Sequence, residues 1–202
     1  MFEGKFNKII LFCIFTSIFV SSWVLTKNPA EIYIGYLLFI PLLPIFIGKF
    51  GFPKWTIVFL FLLFFGIFNI FTRNDSIELF LKIFIGLFLS YLFYYYVIVN
   101  YDFQIETLFK YYLKGAYIVS IIGLVQFVSF QVGFFPGYDF HWIFNKWGVI
   151  TGGNFGIRIN SVFPEPTYYA TFISSAFFIA IYDLINFKTP FYFNRVQVAL
   201  II

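Results

Sequence analysis

The sequence predicts an all-α, polytopic transmembrane protein, and three observations carry that expectation. Of the 202 residues, 61% are hydrophobic and 11% charged, against about half and about a quarter in soluble domains; the mean hydropathy is +0.91. The apolar residues gather in windows long enough to cross a bilayer, at roughly 17–25 residues per helix. Those windows are continuously apolar, without the alternation of barrel strands. Helices are then the default, because in lipid each segment must satisfy its own backbone polar groups.

In chain order the windows cover residues 9–25, 32–47, 55–71, 79–99, 115–135 and 167–185, with a seventh opening at 196 and stopping at 202 in mid-run. The expectation is six complete spans plus a truncated seventh, within a single integral membrane domain over 1–202. That domain would be the N-terminal part of a longer polytopic protein. Lys5 and Lys8 before an apolar stretch also describe a signal peptide. Ser21-Ser22-Trp23, however, places a bulky ring where a small residue is needed for cleavage, so an uncleaved first helix fits better.

Counting Lys and Arg on alternate sides gives the orientation. The amino-terminal side carries Lys5, Lys8, Lys49, Lys54, Lys110, Lys114, Lys188 and Arg195; the other side carries Lys27, Arg73, Lys82, Lys146 and Arg158. The excess favours a cytoplasmic N-terminus and places the hydrophilic loop 136–165 on the extracytoplasmic face. Tyr94 to Tyr96, Tyr111, Tyr112, Trp23 and Trp55 fall where interfacial aromatic belts are expected.

Composition also excludes classes of chemistry. One cysteine, Cys13, leaves no internal disulfide, and with a single histidine, His141, there is no His/Cys metal cluster to build. No metal or cofactor is called for. The net charge of +4 is spread along loops without a basic run, which speaks against nucleic acid as a partner.

The longest hydrophilic connection is the loop "PGYDFHWIFNKWGVITGGNFGIRINSVFPE", residues 136–165. Gly152, Gly153 and Gly156 permit backbone conformations that other residues resist. Pro164 and Pro166 push Phe163 and Glu165 towards extended geometry, so residues 160–165 read as a taut, non-helical strap. Pro166 suits the first turn of the following helix, and Glu165 sits at its amino end, where the dipole favours an anion.

Arg158 hangs from this glycine-rich segment, and a guanidinium there could grip two oxygens of a lipid-linked diphosphate. The plainer readings are an arginine that snorkels or that pairs with Glu165. Glu165 is a candidate general base, although a cation beside it would oppose the raised pKa that such a role asks for. Capping the next helix or holding Arg158 suits it better. Asn160, Ser161, Trp142 and Trp147 join Arg158 as candidate substrate contacts. Tyr138, Trp142, Trp147 and Phe155 could stack on sugars, but interfacial anchoring explains them more simply. His141 and Asp139 read as interfacial and solvated groups, as does Lys146. Gln126 and Asn69, within spans, suggest helix–helix hydrogen bonding, while Lys82 can snorkel outward.

The stretch "RINSVFPEPTYYA", residues 158–170, resembles the Arg-x-x-(Ser/Gly)-x-Phe-x-Glu-Pro-(Ser/Thr) segment of O-antigen polymerase and O-antigen ligase-like membrane proteins. There, too, the segment closes an outer loop and leads into a transmembrane helix. The resemblance implies a metal-independent glycosyltransferase of the GT-C kind in the bacterial cytoplasmic (inner) membrane. Its donor would be an undecaprenyl-diphosphate-linked oligosaccharide, used to extend lipopolysaccharide, capsule or exopolysaccharide. Arg158 matches the motif arginine, which implies contact with the diphosphate and a catalytic role there. Membrane lipids, and a polysaccharide chain-length regulator or flippase, are the further partners it implies. Two rivals stay open: an O-antigen ligase, and a polytopic lipid-oligosaccharide flippase. The near absence of mid-span charge and of internal repeats speaks against a carrier.

Overall fold

The computed structural model describes residues 2–26, 31–73, 76–152, 156–186 and 188–202. Lys27, Gly153 and Phe155 lie outside the described residues. The chain divides into two compact units, Met1–Ser17 with Val24–Gln104, and Ile18–Trp23 with Ile105–Ile202.

The first unit holds helix α1 (Phe2–Phe19) as far as Ser17 and the antiparallel pair β1 (Val24–Thr26) and β2 (Ile32–Tyr33), with Val24 opposite Tyr33. The chain then breaks where a second span was expected. Helices α2 (Ile34–Phe39) and α3 (Leu43–Phe50) are separated by a 3-10 turn, Ile40–Leu42, because Pro41 and Pro44 remove amide donors and clash with the preceding turn. Helices α4 (Ile57–Arg73) and α5 (Ile77–Asn100) follow.

The core of this unit is aromatic. Phe39 stacks on Phe93 at 4.0 Å and Phe46 on Tyr96 at 5.4 Å, and Phe46, Phe93 and Tyr96 are fully buried. Tyr96, assigned to an interfacial belt by its position, is instead a core residue whose hydroxyl donates to Gly51 O at 2.7 Å. Burial of its ring with its polar tip satisfied outweighs interfacial placement. Lys82 pairs with Glu31 rather than snorkelling alone.

The second unit is built on α6 (Ile105–Gln131), α8 (Pro166–Ile185) and the short α9 (Arg195–Ile201). Helix α6 starts ten residues before the apolar window. Its first turns carry Glu106 and Lys110, joined at 2.7 Å in an i,i+4 pair that supports the helix outside the apolar stretch. It ends where Gly133 adopts φ +72°, with Phe134 N–H returning to Ser129 O at 2.8 Å. Small residues Gly115, Ala116, Ala176 and Ala180 are buried where α6 and α8 pack with Phe193 and Val198. Between α6 and α8 the loop contains a single turn of helix, α7 (Phe135–Tyr138), and the antiparallel pair β3 (Ile150–Thr151) and β4 (Ile157–Arg158).

Four helices among the described residues are long and apolar enough to cross a membrane: Lys54–Thr72, Ile77–Asn100, Ile105–Gln131 and Pro166–Ile185. That is fewer than the six complete spans expected. The proline-broken apolar helix Ile34–Phe50 is shorter; α1 is apolar over Phe6–Phe19, and α9 begins where a seventh span was expected to open. Hydropathy alone counts apolar length; it does not see where prolines and turns interrupt it.

Candidate functional site

Several buried side chains hold the loop before α8 within the second unit. Gln126, on α6 and fully buried, accepts at Oε1 from the backbone N–H groups of Asn160, 3.2 Å, and Ser161, 2.9 Å. Its Nε2 donates to Asn160 Oδ1 at 2.8 Å. Asn160 Nδ2 in turn donates to Gly148 O at 3.2 Å and Phe163 O at 3.1 Å. Ser161 Oγ donates to Val119 O at 2.8 Å, and Trp147 Nε1 to Ser161 O at 2.9 Å. A third attachment comes from the turn after α1, where Ser22 Oγ donates to Val162 O at 2.6 Å. Phe140, Phe144, Trp147, Val162 and Phe163 close over Val119 and exclude water from these bonds. A network so fully paired in an apolar setting is rigid, because each bond broken there exposes a costly unsatisfied group.

The strap is therefore not taut. Ser161 adopts φ +50° and Phe163 N–H donates to Asn160 O at 2.9 Å, so residues 160–163 make a tight turn. Glu165 is extended, φ −141° and ψ 149°, as the following proline requires, and Pro166 is the first residue of α8.

Above this base stands the hairpin. Ile150 lies opposite Arg158 and Thr151 opposite Ile157. Gly152 N–H donates to Gly156 O at 3.1 Å, and both glycines have positive φ, +131° and +78°. Ile157 faces inward, 5% exposed, and the alternation of a strand turns Arg158 outward, where it is exposed. No carboxylate among the described residues lies within ion-pair distance of Arg158.

Glu165 is exposed at the N-cap of α8 but makes no side-chain cap. Its Oε2 accepts from Thr167 Oγ1 at 3.3 Å. The expected capping side chain and the Arg158–Glu165 pair are both corrected: a glutamate is too long for the N-cap position that Ser, Thr, Asp and Asn fill. Asn160, Ser161 and Trp147 were expected as substrate contacts. Their side chains are buried and engaged as described, so they form the framework that supports Arg158. Trp142 is 69% exposed, its indole N–H donating to Pro136 O at 3.2 Å, and remains available to a ligand or to lipid.

Two features went unread in the sequence. Gln126 serves the loop rather than a neighbouring helix, and only its position inside an apolar run hinted at a buried partner. Asp139 is not simply solvated: its side chain is 13% exposed, and Oδ1 lies 2.7 Å from His141 Nδ1 and 2.9 Å from His141 N. Asn69, read like Gln126, is exposed on α4, and its amide has no hydrogen-bond partner among the described residues. No group of three His, Cys, Asp or Glu among the described residues is placed to hold a metal ion. Comparison of the chain with family models, curated proteins and solved structures finds no match.

Proposed function

We propose that this chain belongs to a membrane glycosyltransferase that transfers or polymerises undecaprenyl-diphosphate-linked oligosaccharide on the outer face of the bacterial cytoplasmic membrane. The observation that carries the reading is Arg158: exposed, without a carboxylate partner among the described residues, and mounted on a hairpin whose base is fixed by Gln126. A cation paired with a neighbouring carboxylate is largely spent; this one is available to a phosphate, which a guanidinium can hold through two N–H groups.

In the reaction the oxygen of an acceptor hydroxyl bonds to the anomeric carbon and the bond from that carbon to the diphosphate oxygen breaks. The diphosphate leaves with the electron pair, and the hydroxyl proton passes to a base. Charge grows on the leaving group, so a cation already in place lowers the barrier more than one that must reorganise. Glu165, exposed within seven residues of Arg158, is the carboxylate of this segment that could take the proton.

Substitution of Arg158 by Ala tests the reading. Chain growth should fall roughly 100- to 1000-fold while membrane insertion is unchanged, and single lipid-linked repeats should accumulate outside the membrane. Polymer of normal length in that variant would remove Arg158 from the mechanism. Accumulation on the cytoplasmic face after gene deletion would point to a flippase, and intact chains left unattached to their acceptor to a ligase.

A further inference from the structure

The first unit holds a cleft of about 500 Å³ along α4 and α5 that the reaction above does not use. Its walls are aromatic. Phe59 stands edge-on to Phe84 at 6.2 Å and to Phe88 at 5.2 Å, and all three line the space. Lys54 lines it too, exposed at the amino end of the apolar helix Lys54–Thr72. No hydrogen bond or ion pair engages the Lys54 ammonium among the described residues, whereas Lys49 nearby in sequence is held by Asn100. Thr56, also in the lining, has its Oγ1 buried without a hydrogen-bond partner.

These groups demand different things of one occupant. A buried hydroxyl without a partner is costly, and a polar ligand atom relieves it. A lysine at the end of an apolar span attracts an anion at the membrane surface. An aromatic slot that continues from Lys54 to Leu60, roughly 9 Å of helix rise, accepts hydrocarbon and nothing charged. Among the described residues no acidic side chain lines the cleft, so the charge they set at its mouth is positive. A free phosphate would satisfy the rim and leave the slot to water; a zwitterionic lipid would bring its own cation against Lys54.

We propose that this cleft binds an anionic phospholipid, its headgroup phosphate on Lys54 Nζ and Thr56 Oγ1 and an acyl chain between Phe59, Phe84 and Phe88. The binding does not depend on the glycosyl transfer proposed above.

The test is lipid retention by the purified full chain, measured by native mass spectrometry after equilibration with equal amounts of phosphatidylglycerol and phosphatidylcholine. Phosphatidylglycerol should be retained in preference. Lys54→Gln should reduce its retention about fivefold and leave phosphatidylcholine unchanged, while Lys54→Arg keeps most of the preference. Equal retention of both lipids by the unaltered chain, or an unchanged preference in Lys54→Gln, would overturn the assignment. Should Lys54→Gln fail to fold, Thr56→Val serves: undiminished phosphatidylglycerol retention in that variant would also overturn it. Displacement of the lipid by inorganic phosphate alone would reassign the rim to a free anion and refute the lipid site.

Discussion

At the scale of single residues, Gln126 decides whether Arg158 has a fixed address. Its amide answers two backbone N–H groups and the Asn160 side chain, so its loss leaves several buried groups unpaired at once. Gln126→Leu should destabilise the second unit by about 2–4 kcal/mol, since each stranded group costs roughly 1–3 kcal/mol and part of that cost is relieved by relaxation. A thermal melt of the purified protein in detergent checks this, and chain growth should fall with it even though Gln126 touches no substrate. Arg158 and its outward direction were legible in the sequence, because a charged residue beside glycines and prolines in a greasy chain has few other places to go. The inward direction of Asn160 and Ser161 was not. It depends on Gln126, 34 and 35 positions away, and on a positive φ at a serine that local sequence does not announce.

At the scale of elements, α8 and α9 are joined through an anion. Asp183, 2% exposed near the end of α8, accepts from three successive backbone N–H groups, those of Phe191 at 2.6 Å, Tyr192 at 3.1 Å and Phe193 at 2.7 Å. This gathers the chain into the turn from which α9 starts, where Asn194 and Gln197 complete a capping box. A carboxylate in an apolar window would ordinarily suggest a functional role, yet here its charge is consumed by the backbone. Asp183→Ala should cost about 3 kcal/mol and free the segment between Asn186 and Arg195 for rapid proteolytic cleavage, while Asp183→Asn, which keeps one acceptor oxygen, should show a smaller effect. Cleavage of the Ala variant at the original rate would mean that α9 docks through Phe193 and Val198 alone. The helices of the membrane-length segments were largely legible from hydropathy. The break between α2 and α3 was legible only in hindsight, through Pro41 and Pro44, because an apolar count rewards both sides of a kink equally.

At the scale of the whole molecule, the proposed function requires the hairpin to face away from the cytosol. In a Cys13→Ser background, a cysteine placed at the exposed position Thr151 should react with a membrane-impermeant maleimide in intact cells. Protection until the cells are lysed would put Arg158 on the cytoplasmic side and end the reading. The sequence by itself determined that the chain is helical and apolar enough to span a membrane in several places, since burial of backbone in lipid leaves few alternatives. It also marked the segment around Arg158 as chemically distinct. Tertiary structure alone decided how many apolar windows become full-length helices, which polar residues turn inward, and that Gln126 meets the backbone of Asn160 and Ser161. Hydrophobicity is a property each residue carries with it, whereas a hydrogen-bond partner is chosen only when distant parts of the chain come together.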